Sequence, residues 1–212
     1  MPSGKPRVVG LYAIADSTYL SPEQFVPAVR AALDGGARVI QYRDKKSEPP
    51  QRAATARALN ALCREHGVPL LINDDVALAA AVGAAGVHLG HDDSDIATAR
   101  AELGDRALIG VSCYNELARA RAAQAAGADY VAFGRFFASR TKPQAVPATS
   151  ALLRTARAAL RIPIVAIGGI TAENGASLIT AGADALAVIE GVFNQTDIRA
   201  AADGYARLFA VL

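Results

Sequence analysis

The stretch GADYVAFGRFFASRTKP, residues 127–143, contains the pattern that decides the fold. A glycine precedes a short apolar run from Ala128 to Phe133, and Gly134 then opens a loop with two hydroxyls and Lys142. Apolar runs of this length between glycines are typical of buried strands. The same glycine-led run occurs at three other places: GARVI from Gly36, GVHL from Gly86 and GADALAV from Gly182.

A second kind of apolar run, without a leading glycine, alternates with the first. Its copies are RVVGLYAI from Arg7, VPLLIND from Val68, RALIGVS from Arg106 and IPIVAIGG from Ile162. Segments rich in alanine and arginine, with helical spacing, lie between the runs. Strands that alternate with helices pair in parallel through right-handed crossovers, and near-continuous apolarity indicates that both faces are covered.

Eight strand–helix units in 212 residues predict an α/β fold, a (β/α)8 TIM barrel that forms a single domain over residues 1–212. An open doubly wound sheet is the alternative. We disfavour it because no GxGxxG turn follows the first strand and because the unit count is eight.

The composition limits the function classes. A net charge of +2, evenly spread, argues against a nucleic-acid or membrane surface, and no apolar run is long enough to span a bilayer. The first residues lack the apolar core of a signal peptide. Cys63 and Cys113 form no CxxC pair, so we expect reduced thiols and a cytoplasmic protein. The oligomeric state stays open, a homo-oligomer included.

Only four of the basic residues are lysines, and two of them, Lys45 and Lys142, follow predicted strands by a few residues. Both could be solvated surface residues. Alternatively they are compact charges directed at a phosphate. In a barrel the reactive face is the carboxyl end of the strands, so the polar residues there belong together.

Gln41, Arg43 and Lys45 alternate after the second predicted strand, which would place them on one side, facing the barrel mouth. With Lys142 they offer three cations and an amide, a set suited to a phosphate group. The alternative is a solvated QYRDK turn with local ion pairs.

Asp74 and Asp93 follow neighbouring predicted strands, and two carboxylates near a phosphate suggest Mg²⁺. The alternative is helix capping, by Asp74 or Asp75 before Val76 and by Asp92 or Asp93 before Ile96. Zinc at His88 and His91 is disfavoured because no third nitrogen or sulfur ligand has suitable spacing, and we expect His88 to pack in the barrel wall.

Gly168 and Gly169, after the seventh predicted strand, would let backbone N–H groups approach an anion, although a purely steric turn is the alternative. The strand ends carry no Ser-His-Asp order and no Cys-His pair. A site rich in cations and carboxylates but poor in general bases suits the departure of a phosphate leaving group.

The chain resembles the thiamine phosphate synthase family over essentially its whole length. The motifs that carry the resemblance are QYRDK at Gln41, IND at Ile72, GVHLGHDD at Gly86, GVS at Gly110, the block at Gly127 and PIVAIGGI at Pro163. The resemblance implies that a pyrimidinylmethyl diphosphate is joined to a thiazole phosphate, or to its carboxylated form, giving thiamine monophosphate and pyrophosphate. It also implies Mg²⁺ as the cofactor and small-molecule substrates as the partners.

Position by position, the resemblance implies the following sites. The pyrimidine and its diphosphate would be held by Gln41, Arg43, Lys45, Asn73, Ser112 and Lys142. Asp74 and Asp93 would bind Mg²⁺, and Ser139, Thr141, Gly169 and Ile189 would line the thiazole phosphate site. The catalytic residues among these would be Arg43, Lys45, Ser112 and Lys142.

The resemblance has departures. Glu190 stands beside the thiazole phosphate site where the family commonly has serine, and a carboxylate there would repel phosphate unless it points away or is paired. Two other functions therefore remain as hypotheses. One is an isomerase on the same barrel that resembles thiazole tautomerase, and the other is a non-catalytic sensor of a phosphate ligand.

Overall fold

The structure is a computed structural model, and it describes residues 5–90, 95–138 and 147–210. Eight parallel strands close into a barrel in chain order, as predicted from the sequence. The strands are β1 (Gly10–Asp16), β2 (Val39–Arg43), β3 (Leu70–Asn73), β4 (Gly86–Leu89), β5 (Leu108–Tyr114), β6 (Tyr130–Gly134), β7 (Ile164–Ile167) and β8 (Ala185–Val188).

Helices surround the barrel. They are α1 (Phe25–Asp34), α2 (Pro49–Glu65), α3 (Val76–Val82), α4 (Ile96–Leu103), α5 (Leu117–Ala125), α6 (Ser150–Ala159), α7 (Gly175–Thr180), α8 (Glu190–Phe193) and α9 (Ile198–Arg207). None of the described helices combines the length and the apolar character that crossing a bilayer requires.

Alternation along the strands produces two apolar layers. In β1, Tyr12 and Ile14 belong to the layer inside the barrel, whereas Leu11, Ala13 and Ala15 pack outward against the helices. All seven residues of β1 are buried, which explains the near-continuous apolarity of the sequence. Polar side chains at the strand ends are thereby left to face the two mouths of the barrel.

Two aspartates tie the amino-terminal end of the barrel in the same way. Asp129 accepts hydrogen bonds from the Ile109 N–H and from Arg100, and Asp184 accepts them from the Ile164 N–H and from Arg157. Both aspartates follow a Gly-Ala pair, so the repeated sequence signature has a repeated structural role. These charges at the amino-terminal end of the barrel therefore serve stability rather than chemistry.

Replacing Asp184 with alanine should lower the free energy of unfolding by about 1–3 kcal/mol, because a strand N–H loses its acceptor and Arg157 loses its partner. Urea denaturation measures the change. Asp203→Ala is the control, because it removes an exposed pair with Arg207 within one helix and should change stability by less than about 0.5 kcal/mol. Equal midpoints for the two variants would contradict the structural role of Asp184.

Candidate active site

A cavity of about 530 Å³ opens at the carboxyl ends of the strands. Side chains from β1 to β8 reach it, so residues that are distant in sequence share one space. Those predicted from the sequence that line it are Gln41, Arg43, Asn73, Ser112, Gly169, Ile189 and Glu190. Ser139, Thr141, Lys142 and Asp93 lie outside the described residues.

A smaller cleft of about 160 Å³ adjoins the cavity, and Asn73 lines both spaces. Lys45, Asp74 and Asp75 line the cleft and do not line the larger cavity. The alternation of Gln41, Arg43 and Lys45 therefore directs only the first two into the main cavity. The chain leaves strand geometry after Arg43, at the end of β2, so period-two alternation no longer applies to Lys45.

Arg43 is held in place by a buried aspartate. The Arg43 Nη1 atom lies 2.7 Å from Asp16 Oδ2, and the Asp16 side chain is fully buried. The Thr18 N–H also donates to the Asp16 carboxylate. A buried carboxylate thus fixes the guanidinium at the cavity wall, where the N–H donors that Asp16 does not use are available for an anion.

Asp74 forms hydrogen bonds with two other residues that line the cleft. Its Oδ2 atom accepts hydrogen bonds of 2.6 Å from Lys45 Nζ and from Asn73 Nδ2. Its backbone is left-handed, with φ of 63°. Asp75, rather than Asp74, caps α3 by accepting from the Leu78 N–H, and Asp95 caps α4. The capping alternative therefore does not apply to Asp74.

Asp44 adds a permanent negative charge beside the cleft. Burial raises the pKa of its carboxyl, but hydrogen bonds from Ser47, Lys46 and Tyr42 outweigh burial and lower the pKa to about 2. The Asp44 carboxylate is therefore bonded to residues next to it in the sequence, and it stabilises the turn after β2. The QYRDK turn therefore has the local hydrogen bonds expected of a solvated turn. Arg43 nevertheless lines the main cavity, and Lys45 lines the smaller cleft.

Asp74 fits a magnesium ion by the chemistry of its surroundings. A carboxylate that is 25 % exposed, flanked by an amide and an ammonium, suits an ion that takes few protein ligands and completes its shell with water and phosphate oxygens. Among the residues that the structure describes, no three His, Cys, Asp or Glu side chains are grouped as a metal site.

A chain of hydrogen bonds forms part of the cavity wall. Gln41 Nε2 donates to the Tyr12 hydroxyl at 2.7 Å, and the Tyr12 and Tyr130 hydroxyl oxygens are 2.9 Å apart. His88 Nδ1 is 2.9 Å from the Tyr130 hydroxyl, and His88 Nε2 is 2.9 Å from Ser112 Oγ. Burial raises the pKa of both tyrosines, so both phenols stay protonated.

The opposite wall of the cavity is built from backbone. Gly168 and Gly169 follow β7 with φ of 106° and 63°, values that glycine adopts without strain. Side chains there would overlap the loop after β6, whose Phe137 N–H donates to the Gly168 carbonyl. The steric and anion-binding readings of these glycines are both compatible with this geometry.

Glu190 begins the short helix α8 and lines the cavity together with Arg135 and Gly191. Within the described residues its carboxylate makes no hydrogen bond or ion pair. The predicted conflict with a thiazole phosphate is therefore not removed by pairing to a described arginine, and the side chain is available to a ligand.

Several cavity residues were not predicted from the sequence. Tyr12 and His88 line the cavity, although His88 was predicted to be only a wall residue, and Arg135 lines it too. Tyr12 could have been found from its alternation with Ile14 in a strand whose carboxyl end reaches the mouth. Tyr130 could not, because its link to His88 depends on the register between β4, β5 and β6.

The cysteines agree with the sequence prediction. Cys63 and Cys113 are both free and buried, and burial raises the pKa of each thiol to about 12. Neither thiol is therefore a nucleophile near neutral pH.

Comparison with known proteins gives a consistent result. Residues 11–192 match the family described as thiamine monophosphate synthase. A thiamine-phosphate synthase of Nitrosococcus oceani is 58% identical over 94% of this chain and 92% of its own. One from Thioalkalivibrio sulfidiphilus is 51% identical over 97% of each chain.

Solved structures agree. A thiamine phosphate pyrophosphorylase from Pyrococcus furiosus superimposes with a TM-score of 0.86 at 34% identity, over 96% of both chains. A second pyrophosphorylase, from Bacteroides thetaiotaomicron, has a TM-score of 0.68 at 15% identity, which shows the shared fold alone.

Proposed function

The chain belongs to the thiamine monophosphate synthase family, and from this premise we propose that it joins a pyrimidinylmethyl diphosphate to a thiazole phosphate, giving thiamine monophosphate and pyrophosphate. It is accordingly a transferase of thiamine biosynthesis. The 4-amino-2-methyl-5-pyrimidinylmethyl group is the part transferred, and the thiazole nitrogen is the acceptor.

One observation carries the proposal: Arg43 and Lys45 stand at two adjoining spaces at the mouth of the barrel, each beside a carboxylate. Asp16 fixes Arg43, and Asp74 lies next to Lys45. A diphosphate across the two spaces would meet cations along its length, and Asn73, which lines both, could contact it between them. Lys142 is proposed as a further cation, from its place in the sequence.

Asp74 is proposed to hold Mg²⁺, with Asp93 as its partner. When bound, the ion would supply positive charge that neutralises the departing diphosphate. The chain's own contribution is the orientation of the Asp74 carboxylate by Lys45 and Asn73, which keeps one oxygen fixed.

The proposed reaction is dissociative. The bond between the pyrimidine methylene carbon and the diphosphate oxygen breaks first, and both electrons leave with oxygen. Arg43, Lys45 and Lys142 stabilise that charge. The lone pair of the thiazole nitrogen then forms the new carbon–nitrogen bond, so no general base is required. Holding the fragments together supplies much of the remaining rate.

The pyrimidine is proposed to occupy the part of the cavity next to Gln41 and Ser112. The thiazole phosphate is proposed to lie at Gly169 and Ile189, with Ser139 and Thr141 as further contacts. Glu190 faces this second half, and we propose that its charge reduces affinity for the thiazole phosphate without abolishing it.

Gly169→Ala tests the thiazole half of the site. An added methyl would overlap the backbone of residues 137 and 138 and would be strained at positive φ, so the loop must move. We expect KM for the thiazole phosphate to rise about 10–100-fold, equivalent to about 1–3 kcal/mol of overpacking, with KM for the pyrimidine diphosphate changed less. Equal rises in both KM values would contradict the assignment of the two halves.

The experiment that tests the function mixes both substrates with the full chain, with and without Mg²⁺, and measures pyrophosphate and thiamine monophosphate together. We expect both products in equal amounts and only with Mg²⁺ present. Conversion of the thiazole compound alone would favour the tautomerase-like isomerase. Tight binding of a substrate without pyrophosphate release would favour the sensor, which the Glu190 carboxylate supports, since no described residue pairs with it.

The proposed surroundings of the protein follow from the same features. Small-molecule substrates are the proposed partners. Buried free thiols agree with a reducing compartment, so we propose the cytoplasm.

A further inference from the structure

The hydrogen-bond chain from Gln41 to Ser112 has a direction that its buried protons determine. An amide nitrogen can only donate, so Gln41 Nε2 makes the Tyr12 oxygen an acceptor. Tyr12 is 1% exposed, and within the described chain its hydroxyl forms hydrogen bonds only with Gln41 and Tyr130. Its own proton must therefore go to the Tyr130 oxygen, since a buried unpaired donor is costly.

The same reasoning continues to the cavity. Tyr130 is fully buried and has already accepted from Tyr12, so its proton goes to Nδ1 of His88. An imidazole nitrogen that accepts carries no hydrogen, so a neutral His88 holds its hydrogen on Nε2 and donates it to Ser112 Oγ. The Ser112 hydroxyl has then accepted within the wall, and its hydrogen is left for the cavity.

The two ends of the chain thus present opposite characters to a ligand. Ser112 offers a donor, and Gln41 offers its amide oxygen as an acceptor, because one hydrogen of its nitrogen is donated to Tyr12 inside the wall and the oxygen makes no such contact within the described residues.

The fold reserves space for the middle of this chain. A Cβ atom at Gly110 would overlap the end of the Tyr130 ring, so glycine is required opposite Tyr130 in the register between β5 and β6. The rings of Tyr130 and His88 are stacked, with centroids 5.6 Å apart and planes at 28°. Packing therefore fixes His88 in one orientation.

We propose that His88 is a positioning residue that transmits the donor direction of this chain to Ser112, and that the cavity thereby selects a ring with an amino donor and a bare nitrogen acceptor. Such a ring complements the Gln41 oxygen and the Ser112 hydroxyl. A ring with a carbonyl and an N–H in the same places has the reverse pattern and would require every proton in the chain to move. This proposal rests on the proposed function for the identity of the ring.

Nitrogen NMR on the full, ligand-free protein tests the direction of the hydrogen-bond chain. In mildly alkaline buffer, with the signals assigned by comparison with His88→Asn, we expect the hydrogen on Nε2 and a bare Nδ1. A hydrogen on Nδ1 would overturn the proposal. The measurement needs no substrate and no activity, so it separates the direction of the chain from the proposed function.

Ligand preference gives the second test. The probes are unreactive 4-amino-5-hydroxymethyl-2-methylpyrimidine and its 4-oxo counterpart, and calorimetry measures both dissociation constants. Tyr130 does not line the cavity, so Tyr130→Phe acts on ligands only through the hydrogen-bond chain. We expect its preference for the amino compound to fall about tenfold, roughly the contribution of one hydrogen bond.

Tyr205→Phe is the matched control, because it removes a buried hydroxyl that donates to the Ile170 carbonyl, outside the chain. We expect wild-type preference in this variant. A folded Tyr130→Phe protein with wild-type preference would overturn the proposal. If neither probe binds while the hydrogen is on Nε2, the proposed function fails and the chain direction stands. If thiamine monophosphate is made while Nδ1 carries the hydrogen, the proposed function stands and the proposed direction of the hydrogen-bond chain fails.

Discussion

Replacing Asp74 with asparagine is expected to lower kcat by about 10²–10³-fold, because the variant loses a carboxylate that would bind Mg²⁺ and the charge partner of Lys45. Asparagine keeps the size of the side chain and tolerates the left-handed backbone at this position. The fold should therefore be retained, and the loss should appear in catalysis. Steady-state rates over a range of Mg²⁺ concentrations measure the effect, with a higher Mg²⁺ requirement expected.

Asp75→Asn is the matched control in the next position. Asp75 caps α3 through the Leu78 N–H, and asparagine caps helices about as well as aspartate. Its turnover and Mg²⁺ requirement should be close to those of the wild type. A similar loss in both variants would mean that general negative charge at this strand end, rather than the Asp74 carboxylate, supports catalysis.

The second large effect is expected when Arg43 is replaced with glutamine. We expect kcat/KM for the pyrimidine diphosphate to fall about 10²–10³-fold, because a fixed cation at the cavity wall is lost. The free energy of unfolding should also fall, by about 3 kcal/mol, since the fully buried Asp16 carboxylate would keep, among the described residues, only the Thr18 N–H as a donor. Kinetics and urea denaturation measure the two losses separately.

Arg157→Gln separates stability from catalysis. Arg157 pairs with Asp184 at 2.8 Å, but at the amino-terminal end of the barrel, away from the cavity. Both side chains are partly exposed, so we expect a stability loss of about 1 kcal/mol and unchanged kcat/KM. A catalytic loss comparable to that of Arg43→Gln would show that destabilisation alone accounts for both.

The barrel could be predicted from the sequence because its signal is repeated. Each strand is an apolar run between a helix and a turn, and burial on both faces leaves few other arrangements. The start of α1 was less predictable. Ser21 and Pro22 favour a helix start, yet the helix begins at Phe25, because the Gln24 side chain accepts from the Ser21 N–H and closes a turn first.

The site was only partly predictable, for a physical reason. The strand ends identify which side chains reach the mouth, as they did for Gln41 and Arg43. They do not give the path of the chain beyond the strand, which takes Lys45 into the smaller cleft. They also do not give contacts across strands, so the link between His88 and Tyr130 required the register of the barrel.

The central claim is that cations at the mouth of the barrel draw the diphosphate off carbon before the thiazole attacks. Its most direct test uses a pyrimidine diphosphate labelled with ¹⁸O only in the oxygen that bridges carbon and phosphorus. Substrate recovered part-way through the reaction is examined by ³¹P NMR. We predict that label has moved to non-bridging positions, and that Arg43→Gln slows this movement together with kcat. Label that stays in the bridge while product accumulates would contradict departure before attack.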